Sequence, residues 1–497
     1  MEYHIFSDFW GGNINQAYDR IEELKKQNQI KGDIYDAFFT ILHGDLTTVR
    51  SLIAPIINRE YGELPPFENL MLKIVQSRVL LREYKGFEAT KVIDGVLKQI
   101  EENPLPEDRA GMVWAATAYG VRAFCALAEG KYSDGINYMK KAIAIGEKAD
   151  LPYILTKLYN DMGNMYCEIG DLEKGISSIH KSIAIALTTE KPYLCCQYGT
   201  LSEIHLRKGE LDEALKYGEQ ALQVVEERCT LWAVACYHEV LGRVYFKAGN
   251  NERAAELITK AKKIRMDTEM YHSVGYDLKD LALIELSQNN IDGAKFQYEQ
   301  LKELYNQTRS ERIAYFCEFT DALLTMQGKR VRNLARSQAI FKKLLTIQNL
   351  SAYEKIDIYL NLCSLLILEL KIAEDDEVIN ELHGLTDEMY QIADNLKSNS
   401  LLAEILAIKA QIWLIRGNIE KALEKVDEAR SVVQNLGQAR LEERIVHIKN
   451  EIQENYMEWK NIVAANSSFG TKIEKSMIEN YIADSIKVRN DYEYFPS

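Results

Sequence analysis

Small turn residues recur along this chain at a nearly constant interval. Gly130, Gly170, Gly209, Gly249, Asn289 and Gly328 follow one another at steps of 40, 39, 40, 40 and 39 residues. A fixed period of that size marks a repeat architecture, in which each unit buries its apolar face only against its neighbours. The segments around the turns include AEGKYSDGINYMKKAIAI, CEIGDLEKGISSIHKSIAIA, LRKGELDEALKYGEQALQVV and FKAGNNERAAELITKAKKI. Each reads as an amphipathic helix, a tight turn and a second amphipathic helix. Gly or Asn stops the first helix because the left-handed cap conformation costs these residues little. Asp, Asn or Glu often follows, where an anionic or polar side chain suits the next helix start. Further units turn at Gly44, Gly86 and Gly417. The 89 residues from Gly328 to Gly417 fit two units, the intervening turn falling near LKIAEDDEV at 370–378. FWGGNINQAYDRIEEL near the N-terminus reads as one more unit with a short first helix.

Proline supports the same division. The chain has 8 prolines and none between residues 193 and 495. Proline breaks helix interiors, so that stretch suits nearly unbroken helix. Pro65, Pro66, Pro104, Pro106, Pro152 and Pro192 fall out of phase with the glycine turns and mark junctions between units. A second ladder keeps the period: Tyr119, Tyr159, Tyr198, Tyr237, Tyr276, Tyr315 and Tyr359 stand 40, 39, 39, 39, 39 and 44 residues apart. A large residue recurring there is expected to pack on the preceding hairpin rather than to build a stacking platform.

Within the units, LYNDMGNMYCEIGDLEKGISSIHKS carries Tyr159, Met162-Gly163, Tyr166 and Ile179. CYHEVLGRVYFKAGNNERAAELITKA carries Leu241-Gly242, Tyr245, Ala254, Ile258 and Ala261. IKAQIWLIRGNIEKALEKVDEA carries Ala410, Trp413, Ala422, Val426 and Ala429. These positions resemble the tetratricopeptide (TPR) repeat over most of residues 1–454, in the longer 39–40-residue form. That form is similar to archaeal and bacterial stand-alone repeat proteins, to some bacterial regulators and to the kinesin light chain. The resemblance implies an all-α fold: a right-handed α–α superhelix of about eleven hairpins with a C-terminal capping helix. The array is expected to run over 1–454, with room for irregular units in 1–110 and longer ones over 329–400. A helical tail follows over 455–497. In it TKIEKSMIENYIADSIKV (471–488) places Ile473, Met477, Tyr481 and Ile486 on one face after an NSSFG linker. It is expected to cap the array, or else to swing into the groove or dock a partner.

No catalytic constellation is present: no H-E-x-x-H, no G-x-S-x-G and no G-x-G-x-x-G after a strand. GDLEKGIS (170–177) comes near a phosphate loop, with Gly170, Gly175 and Ser177 in place. Its lysine, Lys174, stands one residue early, and the segment follows a helix rather than a strand. Gly170 therefore reads as a helix stop, and Gly175 as a close-packing slot equivalent to Ala214, Ala254 and Ala422. Eight scattered cysteines, with Cys195 and Cys196 adjacent, fit neither a disulfide framework nor zinc spacing and suit a reducing cytoplasm. There is no secretory signal pattern, and the apolar run LCSLLILEL (362–370) is too short to span a bilayer. With 47% hydrophobic and 27% charged residues the composition is that of a soluble protein. A net charge of −14 disfavours nucleic-acid phosphates. No cofactor is expected.

The resemblance implies a concave face lined by first helices, where a peptide or protein segment binds without catalysis. Carried over position by position, the groove residues are Lys157, Asn160, Asn164, Glu203, Glu239, Arg243 and Lys279. Asn160 and Asn164 share a helix face and are poor mid-helix residues. They are suited either to a peptide backbone or to bonds between hairpins. Asn164 fits the asparagine of carboxylate clamps, but Asn160 stands where such clamps have lysine, so tail clamping is not carried over. A second patch, Lys329, Arg330, Arg332 and Arg336, lies in a stretch without acids from Ala322 to Tyr353. It suits an acidic partner unless Glu374, Asp375, Asp376 and Glu377 neutralise it. The leading expectation is a protein-binding scaffold. The other is a sensor whose superhelix changes shape on binding a peptide or metabolite, although 1–60 shows no helix-turn-helix output signature. The terminal repeats leave homo-oligomerisation open.

Overall fold

The computed structural model describes residues 2–10, 13–42, 46–58, 60, 62–83, 85–169, 171–189, 194–208, 210–228, 231–268, 270–328, 330–347, 350, 352–396, 398–434 and 439–489. Gly44, Gly170, Pro192, Gly209 and Lys329 lie outside them. Twenty-six helices run through the described residues, and the first twenty-two pair into eleven hairpins from Glu2 to Val433. The central hairpins are Pro152–Glu168 with Leu172–Ala186, Cys195–Lys208 with Leu211–Arg228, and Leu231–Lys247 with Asn251–Asp267. Tyr271–Ser287 with Ile291–Thr308, and Glu311–Met326 with Val331–Leu344, continue the series. Two longer helices, Ala352–Ala373 and Asp376–Leu396, form the tenth hairpin, and Asn399–Ile415 with Ile419–Val433 the eleventh.

The turns behave as the repeat chemistry requires. Gly130, Gly249 and Gly417 have φ of 73°, 82° and 87°, and Asn289 has 58°. The unit without a glycine turns at Glu374, φ 49°, inside the 370–378 segment. The residue after the turn caps the second helix: Asn250, Asn290 and Asn418 accept from the amides of Arg253, Gly293 and Lys421 at 3.1, 3.0 and 3.0 Å. Asp171 does the same for Lys174. Each such cap stabilises its helix by about 1 kcal/mol. Lys174 also turns its ammonium onto Asp171, so the lysine of the phosphate-loop near-match serves the helix start. Pro66 and Pro152 open the first helices of their units, where a missing N–H costs nothing.

Within hairpins the helices approach closely at small residues. A Cβ on Gly163 would stand 2.4 Å from Ile179 and 3.3 Å from the Gly175 carbonyl. Two units on, a Cβ on Gly242 would stand 2.7 Å from Ile258 and 3.2 Å from the Ala254 carbonyl. Gly175 and Ala254 thus hold one packing slot, as the alignment implied. The tyrosine ladder is more varied than one packing role. Tyr159 reaches back to Glu147 (2.8 Å), and Tyr237 lies on the bare backbone of Gly199, but Tyr276 receives Arg312 of the next hairpin at 2.8 Å.

Helix Arg109–Ala128 has the length and apolarity of a membrane span, which the search for an uninterrupted apolar run did not find. Its apolar window is 78% buried within the protein. Trp114 in its second turn is fully buried against Phe6, Tyr35 and Phe38, and its indole N–H donates to the Tyr35 hydroxyl at 3.1 Å.

Candidate functional site

The first helices of successive hairpins pack on one another and form the inner layer of the superhelix, with the second helices outside. Both ends of that inner layer are covered by the chain itself. Helix Glu2–Trp10 packs on the first helices Arg109–Ala128 and Pro152–Glu168, burying Ile5 and Phe6. At the other end Phe469–Ser476 and Ile478–Arg489 pack on the first helices Ala352–Ala373 and Asn399–Ile415. The tail therefore packs on the first helices of the tenth and eleventh hairpins.

The tail also departs from a single helix over 471–488. Met477 takes φ 56° and ends the first segment. That break turns Met477 out to solvent at 44% exposure and turns Ile478 and Ile482 in at 0%, beside Ile473 and Tyr481. Lys371 pairs with Glu479 at 2.6 Å, and Arg444 stacks 4.0 Å from the Tyr481 ring centroid while donating to the Tyr481 carbonyl at 3.2 Å.

Helix Ala439–Glu454 also reaches this layer, packing on the first helix Cys195–Lys208. The proposed groove residues lie on the first helices of the fifth to eighth hairpins, and they divide into two groups. Asn160 is 2% exposed and accepts from the Thr200 hydroxyl at 3.2 Å, tying two hairpins together. Glu239 is fully buried: Arg265 donates to it at 2.5 Å and Arg243 stands 3.3 Å away. Arg265 also holds Asp277 at 2.5 Å, so one guanidinium from a second helix joins the first helices of two hairpins. Burial alone would raise the Glu239 carboxyl, but Arg265 and Arg243 override it and hold it below the ordinary carboxylate range. Asn160, Glu239 and the buried Arg243 are thus committed to the wall of the groove rather than to its surface.

Lys157, Asn164, Glu203 and Lys279 are half-buried on first helices of the inner layer. Lys157 pairs with Asp161 at 2.6 Å, and desolvation, reinforced by Arg78, lowers its pKa. Glu203 pairs with Arg207 at 2.9 Å; burial pushes its carboxyl up, and Arg207, Lys247 and Arg243 pull it below the usual value. Lys279 pairs with Asp280 at 3.1 Å. Asn164 has no side-chain hydrogen bond among the described residues, so its carboxamide is open to a ligand. The inner face therefore alternates cation, amide and carboxylate, which suits a polar, extended chain more than an apolar helix.

The basic patch lies in the outer layer. Lys329 is outside the described residues, and Arg330 and Arg332 are exposed where Val331–Leu344 begins. The neutralising acids are not Glu374, Asp375, Asp376 and Glu377. Arg336 pairs with Asp321 at 2.7 Å, Lys342 with Glu381 at 2.6 Å and Lys343 with Glu318 at 2.6 Å. The neighbouring helix of the same hairpin supplies two of these partners, a reach the sequence window 322–353 excluded.

The residue that sequence reading missed is Arg265. It stands sixteen residues after its turn, in the register held by Gly146, Ala186, Val225, Tyr305, Leu344 and Val433 in the other units from the fourth onward whose turn the sequence marks, and by Glu60 and Glu102 before them. It is the one cation in that register, a weak signal. Among the described residues no group of three or more His, Cys, Asp or Glu side chains is placed to hold a metal ion.

A model of the MalT-like TPR region matches residues 116–441. The chain belongs to this TPR family. A TPR repeat-containing protein of Methanocaldococcus jannaschii is 23% identical over an alignment of 350 positions that covers 62% of this chain and 55% of that protein. The match thus spans about half of that relative. Among solved structures, a Rap protein complexed with Competence and Sporulation Factor has a TM-score of 0.51 at 11% identity. It covers 74% of this chain and 99% of that one. NprR in complex with its cognate peptide NprX has a TM-score of 0.46 at 14% identity, over 73% of this chain and 98% of that one. At such identity the likeness to solved structures is one of fold.

Proposed function

We propose that this TPR protein is a non-enzymatic scaffold that binds an extended peptide or protein segment on the inner face between hairpins 152–186 and 271–308. The observation that carries this is the set of half-buried polar side chains, Lys157, Asn164, Glu203 and Lys279, on the first helices of the fifth, sixth and eighth hairpins. A segment lying there meets donors and acceptors at each hairpin. Residues 1–454 act as the array and 455–497 as its inward-folded cap. The described cysteines are all unpaired, which suits the cytoplasm. The Rap protein of similar fold was solved in complex with Competence and Sporulation Factor, which fits a fold that holds a ligand.

The sensor reading draws on a different contact. The Tyr353 hydroxyl donates to the Glu168 carbonyl, 185 residues away, so the tenth hairpin touches the fifth across the superhelix. A ligand that drew the turns together would act on that contact.

Affinity capture with the full chain is expected to return one stoichiometric polypeptide. Changing Asn164 to Ala and Glu203 to Gln should weaken capture at least tenfold with the melting temperature nearly unchanged, since Arg207 keeps its pair with Glu168. Undiminished capture would remove the groove assignment. If the ligand also compacts the scattering profile, the sensor form of the reading gains; an unchanged profile leaves a static scaffold.

A further inference from the structure

Cys195 and Cys196 open the first turn of helix Cys195–Lys208 on the inner face, their sulfurs 3.8 Å apart. Cys195 is 1% exposed, whereas Cys196 is only half-buried. The other described cysteines, Cys125, Cys167, Cys236, Cys317 and Cys363, are all buried. The Tyr237 hydroxyl lies beside both thiols, and its ring is seated there because Gly199 has no side chain: a Cβ would stand 2.5 Å from the ring. Lys157 faces Cys196 from the neighbouring first helix, with Asp161 beside it. The helix N-terminus adds a positive partial charge at the same place.

We propose that Cys195 and Cys196 are an oxidisable dithiol, with Cys196 the nucleophile toward a hydroperoxide and Cys195 the resolving thiol. The Cys196 thiolate attacks the peroxide O–O bond. An S–O bond forms, the O–O bond breaks, and the leaving alkoxide or hydroxide takes a proton from solvent. Sulfur is oxidised to the sulfenic acid while the peroxide is reduced to an alcohol or water. Cys195 sulfur then attacks the sulfenic sulfur: the S–S bond forms, the S–O bond breaks, and hydroxide leaves as water with the Cys195 proton.

The two thiols are suited to different roles. The hydrogen bond with Cys195, against burial and with help from Tyr237 and Lys157, brings the Cys196 thiol down to about 7. Burial pushes Cys195 well above the ordinary thiol range, so resolution is the slow step and the sulfenic acid accumulates first. Adjacent Cα atoms lie about 3.8 Å apart, below the roughly 4.4 Å at which unstrained disulfides begin. The bond therefore closes only by opening the first helical turn. That turn holds the bond from the Thr200 hydroxyl to the Cys196 carbonyl (3.0 Å) and, through Thr200, the tie to Asn160. Oxidation loosens the junction between the fifth and sixth hairpins. The strained disulfide is readily reduced by thiols, which makes the change reversible.

The test treats the reduced full-length chain with hydrogen peroxide at neutral pH and maps the products by mass spectrometry. The wild type should first show a sulfenic acid trapped by a dimedone-type reagent on Cys196. A dithiol-reversible loss of two hydrogens in the same peptide should follow. C195S should stop at the sulfenic acid, C196S should leave the peptide unoxidised, and Y237F should slow the first step several-fold. Circular dichroism confirms that each variant is folded. Oxidation of that peptide in C196S at the wild-type rate would overturn the assignment. So would a wild-type peptide that stays reduced, or a Cys195 that reacts first.

Discussion

Arg265 shows how a single residue decides what the inner face can offer. It is 1% exposed and shared by Glu239 and Asp277, both at 0%. Removing one partner from such a cluster leaves uncompensated charge in the interior, at about 3–5 kcal/mol. Arg265→Met is therefore expected to destabilise hairpins 231–287 by that amount, read as faster amide exchange there than in 399–433. Changing Glu239 to Gln and Asp277 to Asn as well should recover part of the loss, because the two fully buried carboxylates are then neutral. Glu239 and Asn160 were legible in the sequence as polar first-helix positions. Their direction was not: the same spacing serves a bond between hairpins or a bond to a ligand. Only the placement of Arg265 and Thr200 distinguishes the two. Asn164, one turn beyond Asn160, kept its carboxamide open, so a pair that looked equivalent divides into a wall residue and a surface residue.

At the scale of helices, the glycine and proline punctuation fixed hairpin number and phase because left-handed caps and N-terminal prolines are local chemistry. What lay outside that chemistry was less legible. The tail periodicity predicted one helix over 471–488, but the left-handed turn at Met477 rotates the buried face to Ile478 and Ile482. The tenth hairpin carries a titration of its own. His383 lies 4.5 Å from the Trp413 ring centroid, and desolvation, aided by Arg416, Lys409 and Lys421 against Asp387, lowers its pKa to about 4. An unfolded histidine titrates near 6.5. Between these values the unfolded chain binds more protons than the folded one, so stability is complete above about 6.5 and is lost as pH falls toward about 4. His383→Phe should flatten this part of the melting-temperature profile between pH 6.5 and pH 4. An identical slope in the variant would place the titrating group elsewhere.

For the whole molecule, repetition explains both what could be read and what could not. Each unit touches chiefly its neighbours, so the array follows from local pattern. Contacts that close the superhelix are long-range and carry no period: Tyr353 on Glu168, Glu2–Trp10 on the fourth and fifth hairpins, Ala439–Glu454 on Cys195–Lys208, and the tail on the tenth and eleventh. Binding on the half-buried polar positions of the first helices is the central claim, and site-specific photo-crosslinking in cells tests it most directly. A photoreactive residue at position 164 is compared with one at 295, which is exposed on the outer helix Ile291–Thr308. Position 164 should yield one discrete polypeptide adduct that position 295 does not. An adduct from 295 with none from 164 would contradict the inner face as the binding surface.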